Sequence, residues 1–187
     1  MSLVAIVLAD QRAPGSATGD DQPLLRSPFR GKPLVSWAVD AAASAELDET
    51  IVVTGATDLS TVLPARITEV HNNRWAEGRA TSLHAGLAAA TWEGHTAAVV
   101  GWATQPLVPA AAWIAVSATA APVAVATYKG RRSWPVLLHA EVWPLLNHGG
   151  DDPVALLAQE RPDLVAEVPC PGDPQVFASA DELAAWG

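Results

Sequence analysis

Short apolar runs rich in β-branched residues alternate along the chain with longer segments of helical periodicity. The runs predict strands at 3–9, 50–55, 66–70, 97–101, 122–128 and 135–139, and the longer segments predict helices at 31–47, 79–93 and 109–120. One face of the first predicted helix carries apolar residues at the 3.6-residue period, namely Leu34, Trp37, Ala38, Ala41 and Ala45. Pro33 suits the first turn of this helix. Strands that are apolar throughout and are separated by helices are typical of a mostly parallel sheet covered on both faces. The 187 residues therefore predict one α/β domain over 1–187.

One long stretch departs from this alternation. Residues 11–30 are rich in Gly, Pro, Ser and Asp and show no periodicity. Loops of about 20 residues are uncommon inside compact domains and are usually functional or disordered. The stretch follows the first strand, where nucleotide-binding α/β proteins hold phosphate. We expect an irregular loop over 10–30 at the edge of the sheet.

Composition limits the partners and the cellular compartment. The net charge of −9 argues against nucleic acid and anionic membranes, which both need a basic surface. The one dense basic cluster, Lys129 to Arg132, favours a solvated turn between two strands over a phosphate contact. The single cysteine excludes an internal disulfide and a cysteine-rich metal site, and no apolar run reaches the about 18 residues that a membrane helix needs. Leu3 to Ala9 lacks a basic lead-in and does not suggest a signal peptide. These features favour a cytoplasmic protein.

The eight tryptophans divide by their place in the predicted elements. Four are expected to pack in the core or between helices, namely Trp37, Trp92, Trp113 and Trp143. Three lie at predicted strand ends or in loops, where they could line a cleft, namely Trp75, Trp102 and Trp134. The five histidines are dispersed and show no metal-ligand spacing.

The segment "VVGWATQPLV", 99–108, ends a predicted strand at the edge where α/β sheets bind ligands. Chemistry at this edge usually needs a charged or metal-binding side chain. The chain instead places Trp102, Ala103 and Thr104 there.

Six segments in order resemble the MobA-like NTP transferases, the molybdenum-cofactor cytidylyl- and guanylyltransferase group. They are "VLADQR", "GKPLVSWAVDAA", "DETIVVTG", "HNNRWAEGRATSLHAGLAAA", "TQPLVP" and "RRSWPVLLHAEVWP". The resemblance runs from Val4 to Leu183. It implies a three-layer α/β/α sandwich with a Rossmann-like, mostly parallel sheet, of the nucleotide-diphospho-sugar transferase type. It also implies transfer of a nucleotide from CTP or GTP to a molybdopterin-type acceptor.

The residues that serve this chemistry in the family are replaced here. The phosphate loop L-A-A-G reads Leu8-Ala9-Asp10-Gln11, the phosphate-binding Lys falls near Gln22, and the two metal-binding Asp positions are Thr104 and Ala178. A carboxylate at Asp10 repels phosphate, and Thr with Ala gives a divalent cation at most one neutral ligand. We expect no intact catalytic residue, no metal ligand and no bound cofactor. Mg²⁺ and a nucleoside triphosphate are implied by the family alone.

The resemblance nevertheless implies positions for both substrates. The expected nucleotide-binding residues are Leu8, Ala9, Asp10, Gln11, Arg12, Asn72, Gly78, Ser82, Gln105 and Pro106. The expected acceptor-binding residues are Arg132, Trp134, Pro135 and Asp151. Three hypotheses remain open: an impaired transferase, a non-catalytic nucleotide-, cofactor- or protein-binding module in molybdoenzyme maturation, and a working transferase that uses carboxylates from residues 10–21.

Overall fold

A seven-stranded sheet forms the centre of the protein in a computed structural model that describes residues 1–10, 23–149 and 152–186. Its strands are β1 (Leu3–Ala9), β4 (Glu49–Thr54), β5 (Thr68–His71), β6 (Ala97–Trp102), β7 (Val123–Tyr128), β8 (Arg131–His139) and β9 (Val165–Pro169), in the spatial order β5-β4-β1-β6-β8-β7-β9. A separate hairpin pairs β2 (Pro28–Phe29) with β3 (Lys32–Pro33). Within the sheet β8 runs antiparallel to both β6 and β7, and the other pairs are parallel.

Helices cover both faces of the sheet. They are α1 (Leu34–Ala43), α2 (Arg79–Trp92), α3 (Ala110–Ser117), α4 (Pro153–Glu160) and α5 (Ala180–Trp186). The apolar residues of α1, α3 and α5 join one buried cluster, and those of α2 and α4 join the other. The sheet between them is apolar on both sides, because consecutive residues of β1 alternate between the two clusters. The predicted three-layer, mostly parallel α/β fold is confirmed.

The boundaries of several elements differ from the sequence prediction. The first helix begins after Pro33, whose ψ of 142° is extended, and it ends well before Glu46, whose φ is positive at 53°. The strand predicted at 135–139 begins at Arg131, because it pairs with β7 through a tight turn at Lys129. The basic cluster at this turn is exposed, as predicted. The prediction missed β9, α4 and α5.

The expected irregular loop at 10–30 is only partly described. Residues 11–22 lie outside the described residues, so the prediction for them stands untested. Residues 23–30 contain a short 3-10 helix, Leu24–Arg26, and the two-residue strand β2, without the regular helix that would contradict the prediction. Leu24, Leu25 and Phe29 are buried in the cluster beside α1. Tertiary packing therefore orders this segment, although its sequence lacks a regular hydrophobic pattern.

Three of the four tryptophans that were expected to pack in the core or between helices do so, and one does not. Trp113 is buried, and Trp37 and Trp143 pack partly buried against the two clusters. Trp92 is 88% exposed, so its predicted packing role was wrong. It is the last residue of α2. None of the helices in the described part of the chain has both the length and the apolar character needed to cross a membrane.

The core depends on the absence of a side chain at Gly101. A Cβ at this position would lie 2.5 and 2.7 Å from two ring atoms of Trp113, which is itself fully buried. We expect Gly101→Ala to lower the free energy of unfolding by roughly 1–3 kcal/mol, the usual range for overpacking a core. Denaturant unfolding measures this loss. Adding Trp113→Phe should recover part of it, and Gly149→Ala is the control, because its Cβ would meet only the Asn147 side chain at 3.9 Å. Equal losses in Gly101→Ala and Gly149→Ala would contradict the packing argument.

Candidate functional site

Three parallel strands end side by side at the carboxyl edge of the sheet. The register pairs Ala9 with Thr54 of β4, and Leu8 with Trp102 of β6. Beyond the strands, the Ala103 N–H donates to the Leu8 carbonyl at 3.0 Å, which keeps the two chains together past the end of the ladder. Asp10 follows β1 between these neighbours. The edge is the place where α/β sheets bind ligands.

Trp75 packs closely over the end of β4 next to Asp10. A Cβ on Gly55 would lie 2.7 Å from Cβ of Trp75 and 3.2 Å from Cα of Asp10. Only glycine at this position allows the two to approach the strand end together. Trp75 is half-buried at this edge of the sheet.

Asn72 connects the loop after β5 to the first turns of α2. Its side-chain amide donates to Thr81 Oγ1 and to Ser82 Oγ, both at 2.8 Å, and its Oδ1 accepts from the Arg74 N–H at 2.9 Å. Its own backbone N–H donates to the Thr54 carbonyl at 2.9 Å. Asn72 is buried, and these hydrogen bonds fix its position relative to both β4 and α2.

Asp10 is a buried carboxyl group that faces the start of α2. It is 5% exposed, and its Oδ1 has no hydrogen-bond donor within the described part of the chain. Burial raises the pKa of this carboxyl, whereas a hydrogen bond with Ser82 and the positive charge of Arg79 act in the opposite direction and do not cancel the effect. The Ser82 hydroxyl thus joins Asp10 to Asn72, since it donates to the first and accepts from the second. The network places a carboxylate at a helix N-terminus, where anions are favoured.

Trp102 of β6 and Trp134 of β8 pack against each other on neighbouring strands. Their ring centroids are 5.5 Å apart in an edge-to-face arrangement, and the Arg79 guanidinium carbon lies 4.3 Å from the centre of the Trp102 ring. Trp102 is 6% exposed, and its indole N–H has no acceptor in the part of the chain that the structure describes. This cation–π contact joins Arg79 of α2 to Trp102 of β6, near the end of β1 where Asp10 lies.

Thr104 and Gln105 contact the C-terminal segment of the chain. The Thr104 carbonyl accepts from the Phe177 N–H at 3.0 Å, and the Gln105 amide donates to Ser133 Oγ and to the Pro174 carbonyl. Both side chains are buried, as is Pro106. Thr104 is thus bonded through its carbonyl to Phe177, the residue before Ala178, and its neighbour Ala103 is bonded to Leu8 at the end of β1. No carboxylate comes from this loop.

Ala178 belongs to the start of α5. Its N–H donates to Glu182 Oε2 at 2.7 Å, and the Glu182 N–H donates to Ser179 Oγ at 3.2 Å. Ser179 and Glu182 are three residues apart, which is the spacing of a capping box. The segment "FASADEL" is thus explained as the beginning of a helix. The carboxylate of Glu182 is occupied there by its hydrogen bond with Ala178.

The described residues do not fit a divalent cation. Within 1–10, 23–149 and 152–186, no three His, Cys, Asp or Glu side chains come together as a metal site would need. Thr104 has an unpartnered hydroxyl in this part of the chain, and Ala178 offers no side-chain oxygen. Hard cations such as Mg²⁺ require several oxygen ligands, usually with at least one carboxylate.

The expected acceptor residues on β8 are not all available to a ligand. Arg132 Nε donates to Glu167 Oε1 of β9 at 2.7 Å, and Pro135 is buried. Trp134 is half-buried against Trp102 and is the acceptor-side residue that reaches the cleft. Four expected site residues lie outside the described residues, namely Gln11, Arg12, Gln22 and Asp151.

Sequence reasoning missed the role of Arg79. The residue stands in the segment "GRATSL" at the first position of α2, a segment that the resemblance places beside the nucleotide without giving Arg79 a contact of its own. Its stack on Trp102 joins residues that are distant along the chain, and no periodicity or spacing in the sequence connects them. Gly78 and Ser82 flank it as expected, at the N-cap and in the first turns of the same helix.

One family model matches the chain, and solved structures share its fold. The sequence model of the MobA-like NTP transferase domain matches residues 5–162. No curated protein sequence matches the chain. Among solved structures, Rv0371c from Mycobacterium tuberculosis H37Rv superimposes with a TM-score of 0.82 at 21% identity, covering 99% of this chain and 97% of that one. The same protein is also known in complex with manganese.

Two further structures extend the similarity of fold. A nucleotidyl transferase from Methanothermobacter thermautotrophicus has a TM-score of 0.77 at 20% identity, covering 100% of this chain and 99% of that one. A 4-diphosphocytidyl-2C-methyl-D-erythritol synthase from Anaerococcus prevotii has a TM-score of 0.75 at 13% identity, covering 98% and 95%. At these identities the comparison shows a shared fold.

The buried carboxyl of Asp10 should reduce stability in a pH-dependent way. Because its folded-state pKa is raised, folding favours the protonated form, and stability falls as the pH rises through that pKa. Asp10→Asn removes this cost. We expect its melting temperature to exceed that of the wild type by a few degrees at about pH 7, and by less at about pH 3.5. Calorimetry at both pH values measures the difference.

Asp58→Asn is the matched control for this measurement. Asp58 is exposed, and hydrogen bonds from Ser60 lower its pKa, so its substitution should give no gain at neutral pH. A gain for Asp10→Asn that does not depend on pH would contradict the burial argument.

Proposed function

Because the chain belongs to the MobA-like NTP transferase family, we propose that it is a molybdenum-cofactor nucleotidyltransferase-like protein with impaired catalysis. The family reaction would be nucleotidyl transfer from CTP or GTP to a molybdopterin-type acceptor. The observation that carries the proposal is the pair of positions 104 and 178, where a buried Thr and a helix-start Ala stand in place of two metal-binding carboxylates.

The proposal follows from the charge that nucleotidyl transfer develops. Enzymes that move phosphoryl groups rely on cations to neutralise the phosphate oxygens, and positioning supplies most of the remaining rate. Thr104 provides one hydroxyl group, and the residue is fully buried. Its carbonyl accepts a hydrogen bond from the Phe177 N–H. The described residues therefore give a metal–triphosphate complex little to bind.

Asp10 adds a repulsive contribution. Its carboxyl lies beside Ser82 at the start of α2, the position where a helix N-terminus would otherwise attract a phosphate. A second negative charge brought into this water-poor environment is strongly disfavoured unless a cation accompanies it. Arg79 is the cation nearest to Asp10 in the described network, and its guanidinium stacks on Trp102.

A non-catalytic role in molybdoenzyme maturation is the alternative, as a nucleotide- or cofactor-binding module or as a protein-interaction module. It is supported by the start of α2, where Asn72, Thr81 and Ser82 form a complete hydrogen-bond network although the metal positions are replaced. A nucleotide or a molybdopterin-type ligand is the partner that this frame favours. We propose a cytoplasmic location on the basis of the unpaired cysteine and the acidic composition.

Purified protein should show neither magnesium-dependent stabilisation by nucleoside triphosphates nor measurable transfer. A ligand present at a hundred times its Kd would stabilise the fold by about 2.7 kcal/mol, which moves the melting temperature by several degrees. A thermal-shift series with CTP, GTP and ATP, with and without Mg²⁺, tests binding, and pyrophosphate release with a molybdopterin acceptor tests turnover. Robust turnover by the unmodified protein would overturn the proposal and favour carboxylates from residues 10–21 as metal ligands. A magnesium-dependent shift without turnover would favour the nucleotide-binding alternative.

Restoring both carboxylates should restore metal binding without full activity. We expect Thr104→Asp with Ala178→Asp to bind Mn²⁺ measurably by calorimetry, because two carboxylates at this edge meet the oxygen preference of the ion. Turnover should stay low, because the glycine loop and the lysine of the family are still replaced. The control is Thr104→Asn with Ala178→Asn, which has nearly the same shape without the charge. Equal Mn²⁺ binding by both double variants would show that the two positions do not form the metal site.

A further inference from the structure

Four polar side chains meet at the amino edge of the sheet, the edge opposite to the candidate functional site. Ser2 precedes β1, Glu49 begins β4, Thr68 begins β5, and His95 lies between α2 and β6. These strands are parallel neighbours, so the residues at their starts come together at one edge. The proposed function uses none of the four residues.

A chain of hydrogen bonds connects these side chains. Ser2 Oγ lies 2.8 Å from His95 Nδ1, and His95 Nε2 lies 2.8 Å from Glu49 Oε2. The second carboxylate oxygen, Glu49 Oε1, accepts from Thr68 Oγ1 at 2.6 Å. His95 is 8% exposed, so packing and these contacts together fix the plane of its ring. A hydroxyl, a base and a group that orients the base follow one another in this way where enzymes activate a nucleophile.

The carboxylate of Glu49 determines which nitrogen of His95 carries a proton. Burial raises the pKa of Glu49, but the hydrogen bonds with Thr68 and His95 outweigh this effect, and the pKa lies below its ordinary value. An ionised carboxylate only accepts hydrogen bonds, so His95 donates to it through Nε2. In the neutral ring, Nδ1 then has a lone pair that accepts the hydroxyl proton of Ser2.

Asp48 provides a second negative charge near the ring. Its Oδ2 accepts from the Leu3 N–H at 2.7 Å, and hydrogen bonds with Leu3 and Ser2, together with the charge of His95, lower its pKa. When Ser2 gives up its proton, His95 becomes an imidazolium whose charge both carboxylates stabilise. Asp48 is exposed, so solvent screens its contribution more than that of the half-buried Glu49.

We propose that Ser2 is a nucleophile that His95 activates for acyl transfer from small neutral carboxylic esters. Ser2 Oγ forms a bond to the ester carbonyl carbon while its proton passes to His95 Nδ1. The bond from that carbon to the leaving oxygen then breaks, and His95 returns the proton to the leaving oxygen. Water next attacks the acyl group, gives a proton to His95 and releases the carboxylic acid, while Ser2 Oγ takes the proton back. Glu49 is a positioning residue, since it acts through His95.

Charge and exposure determine the class of ester and the expected rate. Asp48 and Glu49 make this edge negative, which disfavours anionic acyl donors such as acyl phosphates. Ser2 is half-buried and its neighbour Met1 is 80% exposed, so the hydroxyl lies at the surface. The Ser2 N–H donates to Thr96 Oγ1 at 3.2 Å and is not free to stabilise an oxyanion. The gain therefore comes from the base alone, which supplies about 10²–10⁴-fold in enzymes.

Acetylation of the wild-type protein by p-nitrophenyl acetate, stopped with acid at early times and located by peptide mass spectrometry, tests the proposal. Cleavage by hydroxylamine distinguishes a serine ester from an amide on an amino group. Ser60 is the matched control within the same molecule, because it is exposed and its hydroxyl contacts the Asp58 carboxylate rather than an imidazole. We expect the ester at Ser2 to form about a hundredfold or more faster than the ester at Ser60.

Three variants separate nucleophilic activation from a structural role of the hydrogen bonds. Ser2→Ala should lose the ester at residue 2 and most of the release of nitrophenolate. His95→Gln should slow both to the level of an ordinary serine, because the base is gone. Glu49→Gln should have a smaller effect, because its amide oxygen still accepts from Nε2 but carries no charge. Thermal melting of each variant shows whether it folds.

Equal rates of ester formation at Ser2 and Ser60 would overturn the proposal, and the network would then only tie β1 to β4. Undiminished nitrophenolate release by folded Ser2→Ala would also overturn it, because His95 would then react with the ester directly. The comparison of the two serines is made in the wild type, so it decides the question even if a variant does not fold. Neither nucleotide nor metal takes part, and the outcome is independent of whether the protein transfers nucleotides.

Discussion

The hydrogen-bond network from Asp10 through Ser82 to Asn72 is the interaction on which the candidate site depends. Asn72 is tied by its backbone to the end of β4 and by its side chain to the first turns of α2, and Ser82 carries this connection to the end of β1. The network fixes where α2 begins relative to the sheet. It thereby sets the position of Arg79 over Trp102, which no local interaction within α2 would fix.

The same network makes the edge of the sheet chemically unusual. A helix start above the ends of parallel strands normally offers an anion site, and here the protein's own carboxyl group faces it. Burial of that group is unfavourable, as its raised pKa indicates, and the sheet tolerates it because the apolar clusters on both faces are extensive. Residues that lower stability in this way are common at ligand sites, where function and stability conflict.

The chain keeps the fold of its family, and we propose that it has lost the family's chemistry. Similar folds extend over nearly the full length of solved nucleotidyl transferases, yet the positions of the expected metal ligands serve other purposes. Thr104 anchors Phe177 through its carbonyl, and Ala178 begins α5 through a contact with Glu182. Both contacts are made by backbone atoms, which explains how the fold persists when the side chains at these positions change.

The sequence by itself determined the layers of the fold and the family to which the chain belongs. Apolar periodicity specifies β1, β4, β6 and α2 because burial on one or two faces leaves a regular signature, and an ordered set of motifs specifies the family. The C-terminal elements β9 and α5 were not predicted, because they are short, are largely exposed or only partly buried, and carry little of that signature. Only the tertiary structure decided that Arg79 stacks on Trp102, that Asp10 faces Ser82, and that Trp92 lies in solvent. The physical reason is that these contacts join residues far apart in the chain, and their geometry is set by the packing of α2 against the sheet rather than by any local preference.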